Sequence, residues 1–214
     1  MTVIKAYLAS PQVFGQATIT NLSADGMCVH LDETLFHPQG GGQPNDIGSI
    51  DGVPVVKVRH SVDGEVDHFL STRAPFSIGD AVTIRVNEEA RTVNTKYHSA
   101  GHLIADAIED VIPGLKAVQG HHWPGEARVE FEGMLPSDVP DQGFIQRAVD
   151  KLIDSSALFQ IVGDPYSARA LKIGNHDAVG CGGTHVQSSS ELNGLIIGKI
   201  KFKKGRLRVS YNLQ

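Results

Sequence analysis

Residues 97–112, YHSAGHLIADAIEDVI, mark the point at which this chain changes character. Leu103, Ile104, Ala107, Ile108, Val111 and Ile112 recur at three- and four-residue spacing, the period of one helix face. Pro113-Gly114 then supplies the stop. Upstream, no helix-period pattern of useful length occurs. Short β-branched runs at 3–8, 27–31, 55–58, 66–70 and 81–86 are separated by turn pairs such as Asp51-Gly52, Asp63-Gly64 and Gly79-Asp80. Asp-Gly is the usual signal of a two-residue hairpin. Many short strands at close spacing predict a small β-barrel over residues 1–88. Downstream, a second helix is predicted over 141–156, with Phe144, Ile145, Ala148, Val149, Leu152 and Ile153 on its buried side. Strands are predicted over 128–131, 167–173, 195–202 and 206–211, the last two as a hairpin. The fold class is therefore α+β: an N-terminal small β-barrel, then a two-layer α/β domain (89–214) with two helices on a mainly antiparallel sheet.

The bulk composition suits such a globular chain. Of 214 residues, 41% are hydrophobic and 20% charged, enough to bury a core. No stretch approaches the roughly 18 consecutive apolar residues of a membrane span, so no membrane partner is expected. Residues 1–10 hold a single Lys and no long apolar run, unlike a secretory signal. Two cysteines, Cys28 and Cys181, are too few for a disulfide framework. A reduced, cytoplasmic setting is the expectation, and Cys28, in a β-run, is expected in the core.

A net charge of −5 argues against a protein that simply coats nucleic acid. Phosphate binding depends on local cations, however, and not on the total. Lys199, Lys201, Lys203, Lys204, Arg206 and Arg208 make six of the ten residues from 199 to 208 basic, with no acid among them. In a strand Lys199, Lys201 and Lys203 share one face. That face is read as a phosphate-backbone contact, against the plainer reading of a solvated edge strand guarded by lysines.

Chemistry concentrates at two half-sites. His98 and His102 are four apart in the first helix, one turn apart on one face and nearly opposite its apolar stripe. Cys181-Gly182-Gly183-Thr184-His185 puts a thiol and an imidazole four apart with glycines between them, able to bend around one ion. Thiolate with imidazole is a zinc-favouring donor set. Either half alone has a plain reading, a chance His pair or a glycine turn; together they form a Cys-His₃ set. Ser99 stands where a metalloprotease of the HExxH type carries its Glu. Gly40-Gly41-Gly42-Gln43 lacks the Gly-Lys-Ser/Thr ending of a nucleotide-binding loop.

His98-Ser-Ala-Gly-His102-Leu and Cys181-Gly-Gly-Thr-His185-Val resemble the paired motifs of the alanyl-tRNA editing domain. Phe36-His-Pro-Gln-Gly-Gly-Gly-Gln43-Pro-Asn-Asp46-Ile-Gly48 is similar to the glycine-rich motif upstream of it, and residues 194–211 resemble the domain's end. The order of these matches resembles the freestanding AlaX proteins of the type that keeps the glycine-rich N-terminal domain. The resemblance implies a deacylase for tRNA(Ala) mischarged with Ser or Gly, with no obligate protein partner evident. It implies zinc ligands at His98, His102, Cys181 and His185, and an aminoacyl site bordered by Gly40, Gly41, Gly42 and Gln43. Gln43, Gln119 and Thr184 are the candidate water- or substrate-positioning residues. Gly101, where the family more often has Thr or Leu, costs a helix about 1 kcal/mol relative to Ala. His121 and His122, beside Trp123-Pro124, read as surface residues of a loop. Four protein ligands normally close a zinc site, whereas catalytic sites keep a position open, so a labile ligand (His185 or His98) or a positioning role for the metal are both consistent. Threonyl-type editing and a non-catalytic, zinc-stabilised RNA-binding module are the competing readings.

Overall fold

The computed structural model describes residues 3–134, 140–203 and 205–214. By contact density the chain divides into two compact units, Met1–Gly40 with Pro44–Thr92, and Gly41–Gln43 with Val93–Gln214. The division falls inside the first helix, a few residues beyond the change of composition near residue 88.

The first unit contains β1 (Ile4–Lys5), β2 (Phe14–Leu22), β3 (Cys28–Leu31), β4 (Glu33–Thr34), β5 (Gly48–Ile50), β6 (Val53–His60), β7 (Val66–Leu70) and β8 (Ala81–Val86). Six of them close an antiparallel barrel in the order β2-β3-β7-β6-β5-β8, while β1 pairs in parallel with β4. Asp51 (φ 43°) and Gly52 (φ 81°) are both left-handed at the β5–β6 turn, as a type I′ hairpin requires. Ile19, Val29, Leu31, Phe36, Ile50, Val55, Val58 and Ile84 fill the interior. The run at 3–8 is only partly a strand: after Lys5 it winds into a 3-10 turn over Ala6–Leu8. Cys28 is half-buried and not in the core, and burial pushes its thiol up to about 11.

A buried ion pair ties the glycine-rich motif to this unit. Arg91 Nε lies 2.9 Å from Asp46 Oδ1, its Nη2 also meets Asp46 Oδ2, and Nη2 donates to Leu35 O at 2.6 Å. Asp46 accepts in addition from the His37 backbone N–H. With these partners the pair is satisfied, whereas removing one member would leave a buried charge, at a cost of roughly 3–5 kcal/mol.

The helix predicted from residue 97 begins earlier: α1 spans Glu88–Val111. Residues 88–96 are polar and carry no apolar period, but Asn87 Oδ1 caps the start by accepting from Ala90 N at 2.9 Å, and Glu88 and Glu89 favour the positive end of the helix dipole. Then follow β9 (Leu115–His121), β10 (Arg128–Gly133), α2 (Gln142–Asp154), β11 (Phe159–Val162), β12 (Ala170–Ile173), β13 (Val179–Gly180), β14 (Leu195–Lys203) and β15 (Arg206–Leu213). A four-stranded antiparallel sheet runs β14-β15-β10-β9, and a smaller one β11-β12-β13. Leu103, Ile104 and Ile108 of α1 share a core with Ile145 and Val149 of α2 and with Phe131, Leu207 and Val209 of the sheet. Phe144, expected on the buried side of α2, is exposed. The α+β expectation, barrel then helices on a mainly antiparallel sheet, is borne out. Among the described residues no helix is long and apolar enough to cross a membrane.

The barrel also encloses His68. Its Nδ1–H donates to Val29 O (3.2 Å), and Thr34 Oγ1 donates to its Nε2 (2.8 Å) while accepting from Phe36 N. Every polar atom is satisfied with a neutral ring, and burial lowers its pKa to about 4; burial does the same to His37. Above pH ~6.5 neither state binds a proton and the histidines cost nothing. As pH falls from about 6.5 towards 4 the unfolded chain takes up protons the folded one cannot, so stability falls, by on the order of 3 kcal/mol per histidine. Urea midpoints measured between pH 7.5 and 4.5 should drop, and a His68→Gln variant should show a shallower drop; equal slopes would refute the assignment.

Candidate metal centre

α1 presents His98 and His102, and the loop after β13 presents Cys181 and His185. The Cys181 sulfur lies 3.6, 3.4 and 3.2 Å from Nε2 of His98, His102 and His185. All four donor atoms fall within 4.8 Å of one another. A tetrahedral ion with Zn–S near 2.3 Å and Zn–N near 2.0–2.1 Å would set sulfur and nitrogen about 3.6 Å apart. The set is therefore arranged to hold a metal ion, and its N/S chemistry suits zinc.

The surrounding residues explain why His98 and His185 offer Nε2. Gln43, fully buried, accepts from His98 Nδ1–H at 2.7 Å and from Thr184 N at 3.0 Å through Oε1, and its Nε2 donates to Thr184 Oγ1 at 2.9 Å. Thr184 Oγ1 is also 2.6 Å from Thr95 Oγ1. Ser99 Oγ sits 3.4 Å from His185 Nδ1 and accepts from Val186 N. Hydrogen bonds to the far ring nitrogen fix tautomer and orientation, the usual support for metal-ligating histidines. Gly183 is equally constrained: a Cβ there would stand 1.9 Å from His98 Cε1. Burial pushes the His102 pKa down to about 4, favouring the neutral ring a metal needs, and pushes the Cys181 thiol up, with the Gly183 N–H and Arg169 working against that rise.

His98, His102 and Cys181 open onto a cavity of ≈920 Å³, lined also by Gly41, Gly42, Gln119 and His122. Its wall along α1 carries Asp106, Glu109 and Asp110, of which Glu109 is paired with Lys116 and Asp110 with His176, both also lining the cavity. Burial raises the Asp106 pKa to about 6, against the pull of His176.

No protein-family profile matches the chain. Individual relatives do. It is 32% identical to the alanyl-tRNA editing protein Aarsd1 of Rattus norvegicus over 96% of this chain and 53% of that protein. It is 29% identical to the alanyl-tRNA editing protein AlaX-M of Pyrococcus horikoshii over 76% of this chain and 75% of that one. An alanine–tRNA ligase of Acholeplasma laidlawii is 28% identical over 80% of this chain but 22% of the ligase. The chain belongs to the AlaX-type alanyl-tRNA editing family. It spans about half the length of the mammalian family members it matches.

The structure distributes the other residues singled out by this family's pattern. Gly41 and Gly42, both with positive φ (55° and 80°), line the cavity; Gly40 counts with the first unit and is not among the lining residues. Gln43 and Thr184 spend their polar atoms on each other, on His98 and on Thr95, behind the donor atoms and not in the cavity. Gln119 lines the cavity, 3.5 Å from Arg206. Lys199 and Lys201 are exposed on β14. Arg206 and Arg208 are drawn back into ion pairs, Arg206 with Glu132 and Arg208 with Glu130, each at 2.6 Å. Lys203 lies in β14, and Lys204 lies outside the described residues. His121 ends β9 and stacks on Trp123. His122, expected at the surface, is buried against His98, its ring centroid 4.9 Å away, with Nδ1 2.7 Å from Tyr211 Oη and a pKa lowered to about 3 by burial. No local sequence signal marks it, because the glycines that seat it, at 42, 101 and 120, meet only in the folded chain.

A Gly183→Ala variant should keep its helical circular dichroism yet lose most of its capacity to bind Co²⁺, read from the visible absorption of the thiolate–cobalt complex. Undiminished Co²⁺ binding would show that the close approach of Gly183 to His98 is not required.

Proposed function

We propose that this chain is a trans-editing hydrolase that cleaves the aminoacyl ester of tRNA(Ala) wrongly charged with serine or glycine, in the cytoplasm and with a zinc ion held by His98, His102, Cys181 and His185. The domain division we favour is a barrel carrying the glycine-rich motif (1–88) and a deacylase domain (89–214). The observation that carries this reading is the convergence of three imidazole Nε2 atoms on the Cys181 sulfur at the edge of a cavity, in an AlaX-type chain.

An aminoacyl ester is already activated, so positioning accounts for much of the catalysis required. A zinc ion held by His98, His102, Cys181 and His185 would supply a Lewis acid for the ester carbonyl or for a water molecule. The chain's own groups do the rest. Gln43 and Ser99 hold His98 and His185 in the Nδ1–H tautomer, which keeps the donor atoms in place between turnovers. Gly41 and Gly42 offer a wall without side chains for the ribose end of the substrate. Of the carboxylates on the α1 wall, Glu109 is already neutralised by Lys116 and Asp110 is paired with His176, which leaves Asp106 as the one that suits the α-ammonium group. Lys199 and Lys201 suit the tRNA backbone; among the basic residues from 199 to 208, the two arginines contribute less because Glu130 and Glu132 already neutralise them.

Ser-tRNA(Ala) and Gly-tRNA(Ala) should be deacylated rapidly and Ala-tRNA(Ala) spared, with loss of at least about 100-fold on Cys181→Ala or chelation. Retained tRNA and zinc binding without cleavage of any ester would favour the binding-module reading instead, and cleavage confined to a seryl ester on tRNA(Thr) the threonyl one. A Lys199→Ala/Lys201→Ala variant should raise KM several-fold with little change in kcat, and flatten the salt dependence of KM; a fall in kcat alone would contradict a backbone contact.

A further inference from the structure

Gly42, Gly101 and Gly120 come from three separate segments of the second unit, and each is bare where one imidazole lies. A Cβ at Gly42 would stand 2.9 Å from His122 Cδ2, one at Gly101 2.2 Å from Cε1, and one at Gly120 2.2 Å from Nε2. The His122 ring is thus seated directly on main chain, in a residue only 5% exposed. Its backbone is pinned as well, with His122 N donating to Gly42 O at 2.9 Å. Tyr211 Oη donates its one hydrogen to Tyr97 O at 2.8 Å, so it accepts from His122 Nδ1–H at 2.7 Å. That leaves the Nε2 lone pair unused. Nε2 has no hydrogen-bond partner among the described residues, and the ring lines the cavity beside His98 and His102. Nε2 is open to the cavity, so a substrate group that covers it must donate to it or leave it unpaired.

We propose that His122 is a specificity-determining, substrate-contacting residue whose Nε2 accepts a hydrogen bond from the side-chain hydroxyl of a seryl ester. This rests on the editing reading above. The ester oxygens donate nothing, and the α-ammonium is better served by the Asp106 carboxylate of the α1 wall, so the side-chain hydroxyl is the donor a neutral acceptor suits. An alanyl methyl in the same place would leave Nε2 desolvated and unpaired, which is how a polar site rejects an analogue lacking the hydroxyl. The three glycines then have a common purpose, since a side chain at any of them would displace the ring.

The test compares His122→Phe and Tyr211→Phe with the unaltered protein on Ser-tRNA(Ala), Gly-tRNA(Ala) and Ala-tRNA(Ala), with bound metal measured in each preparation. His122→Phe keeps the ring and removes its acceptor; it should keep its metal and lower kcat/KM for the seryl ester by about 10- to 100-fold, with a much smaller loss for the glycyl ester. Tyr211→Phe, which removes the acceptor of Nδ1–H together with the donor to Tyr97 O, should shift the Ser/Gly ratio less and in the same direction, and it carries the test if the first variant fails to fold. Equal losses on the seryl and glycyl esters would overturn the assignment in favour of a structural part or a ribose contact, as would an unchanged ratio. If the unaltered protein cleaves none of the esters, the editing reading itself fails, an outcome distinct from the other two.

Discussion

The hydrogen bond from His98 Nδ1 to Gln43 Oε1, 2.7 Å long and fully buried, is the contact on which the rest of the site depends. It turns Nε2 of His98 towards Cys181 and leaves the Gln43 amide a single orientation, because Oε1 must accept and Nε2 must donate. Thr184 meets both ends of that amide, so the loop from 181 to 185 is aligned by the same side chain that aligns the helix ligand. Gln43 Oε1 already accepts twice, and one of its two Nε2–H donors is given to Thr184. Its contribution is indirect: it makes a pair of helix residues and a distant loop behave as one donor set.

Close packing against main chain recurs throughout the second unit. Gly183 admits His98, while Gly42, Gly101 and Gly120 admit His122. Each costs local order, Gly101 most visibly because it sits within α1, at about 1 kcal/mol against Ala. The loss is offset by two imidazoles held at fixed depth, His98 beside the Cys181 sulfur and His122 beside His98. Side-chain-on-side-chain packing would leave those rings freer, since flexible neighbours can yield and backbone cannot.

Charge is sorted just as sharply. Across the sheet Glu130 of β10 lies opposite Arg208 of β15, and Arg208 lies opposite Lys201 of β14. Positive charge therefore survives towards the β14 edge and is cancelled towards the centre of the sheet. Along α1 the cavity wall carries carboxylates instead, with Glu109 paired to Lys116. The net charge of −5 conceals this sorting.

What the sequence determined by itself was whatever depends on short-range pattern: the hairpin turns at Asp51-Gly52 and Asp63-Gly64, the apolar face of α1, and the two half-sites of the Cys-His₃ set. Its four members were legible because HxxxH and Cys-Gly-Gly-Thr-His each carry their spacing within one turn or loop. The polar first turns of α1 were not, because capping by Asn87 leaves no apolar period. Nor were the places of Gln43, Ser99, Arg206 and His122. Those depend on contacts between residues tens of positions apart, and no local pattern distinguishes a glutamine braced against a histidine from one facing a substrate, or an arginine awaiting phosphate from one already paired with Glu132. Only the folded chain brings the bare glycines of three segments onto one ring, because each glycine is defined by what packs against it and not by its neighbours in sequence.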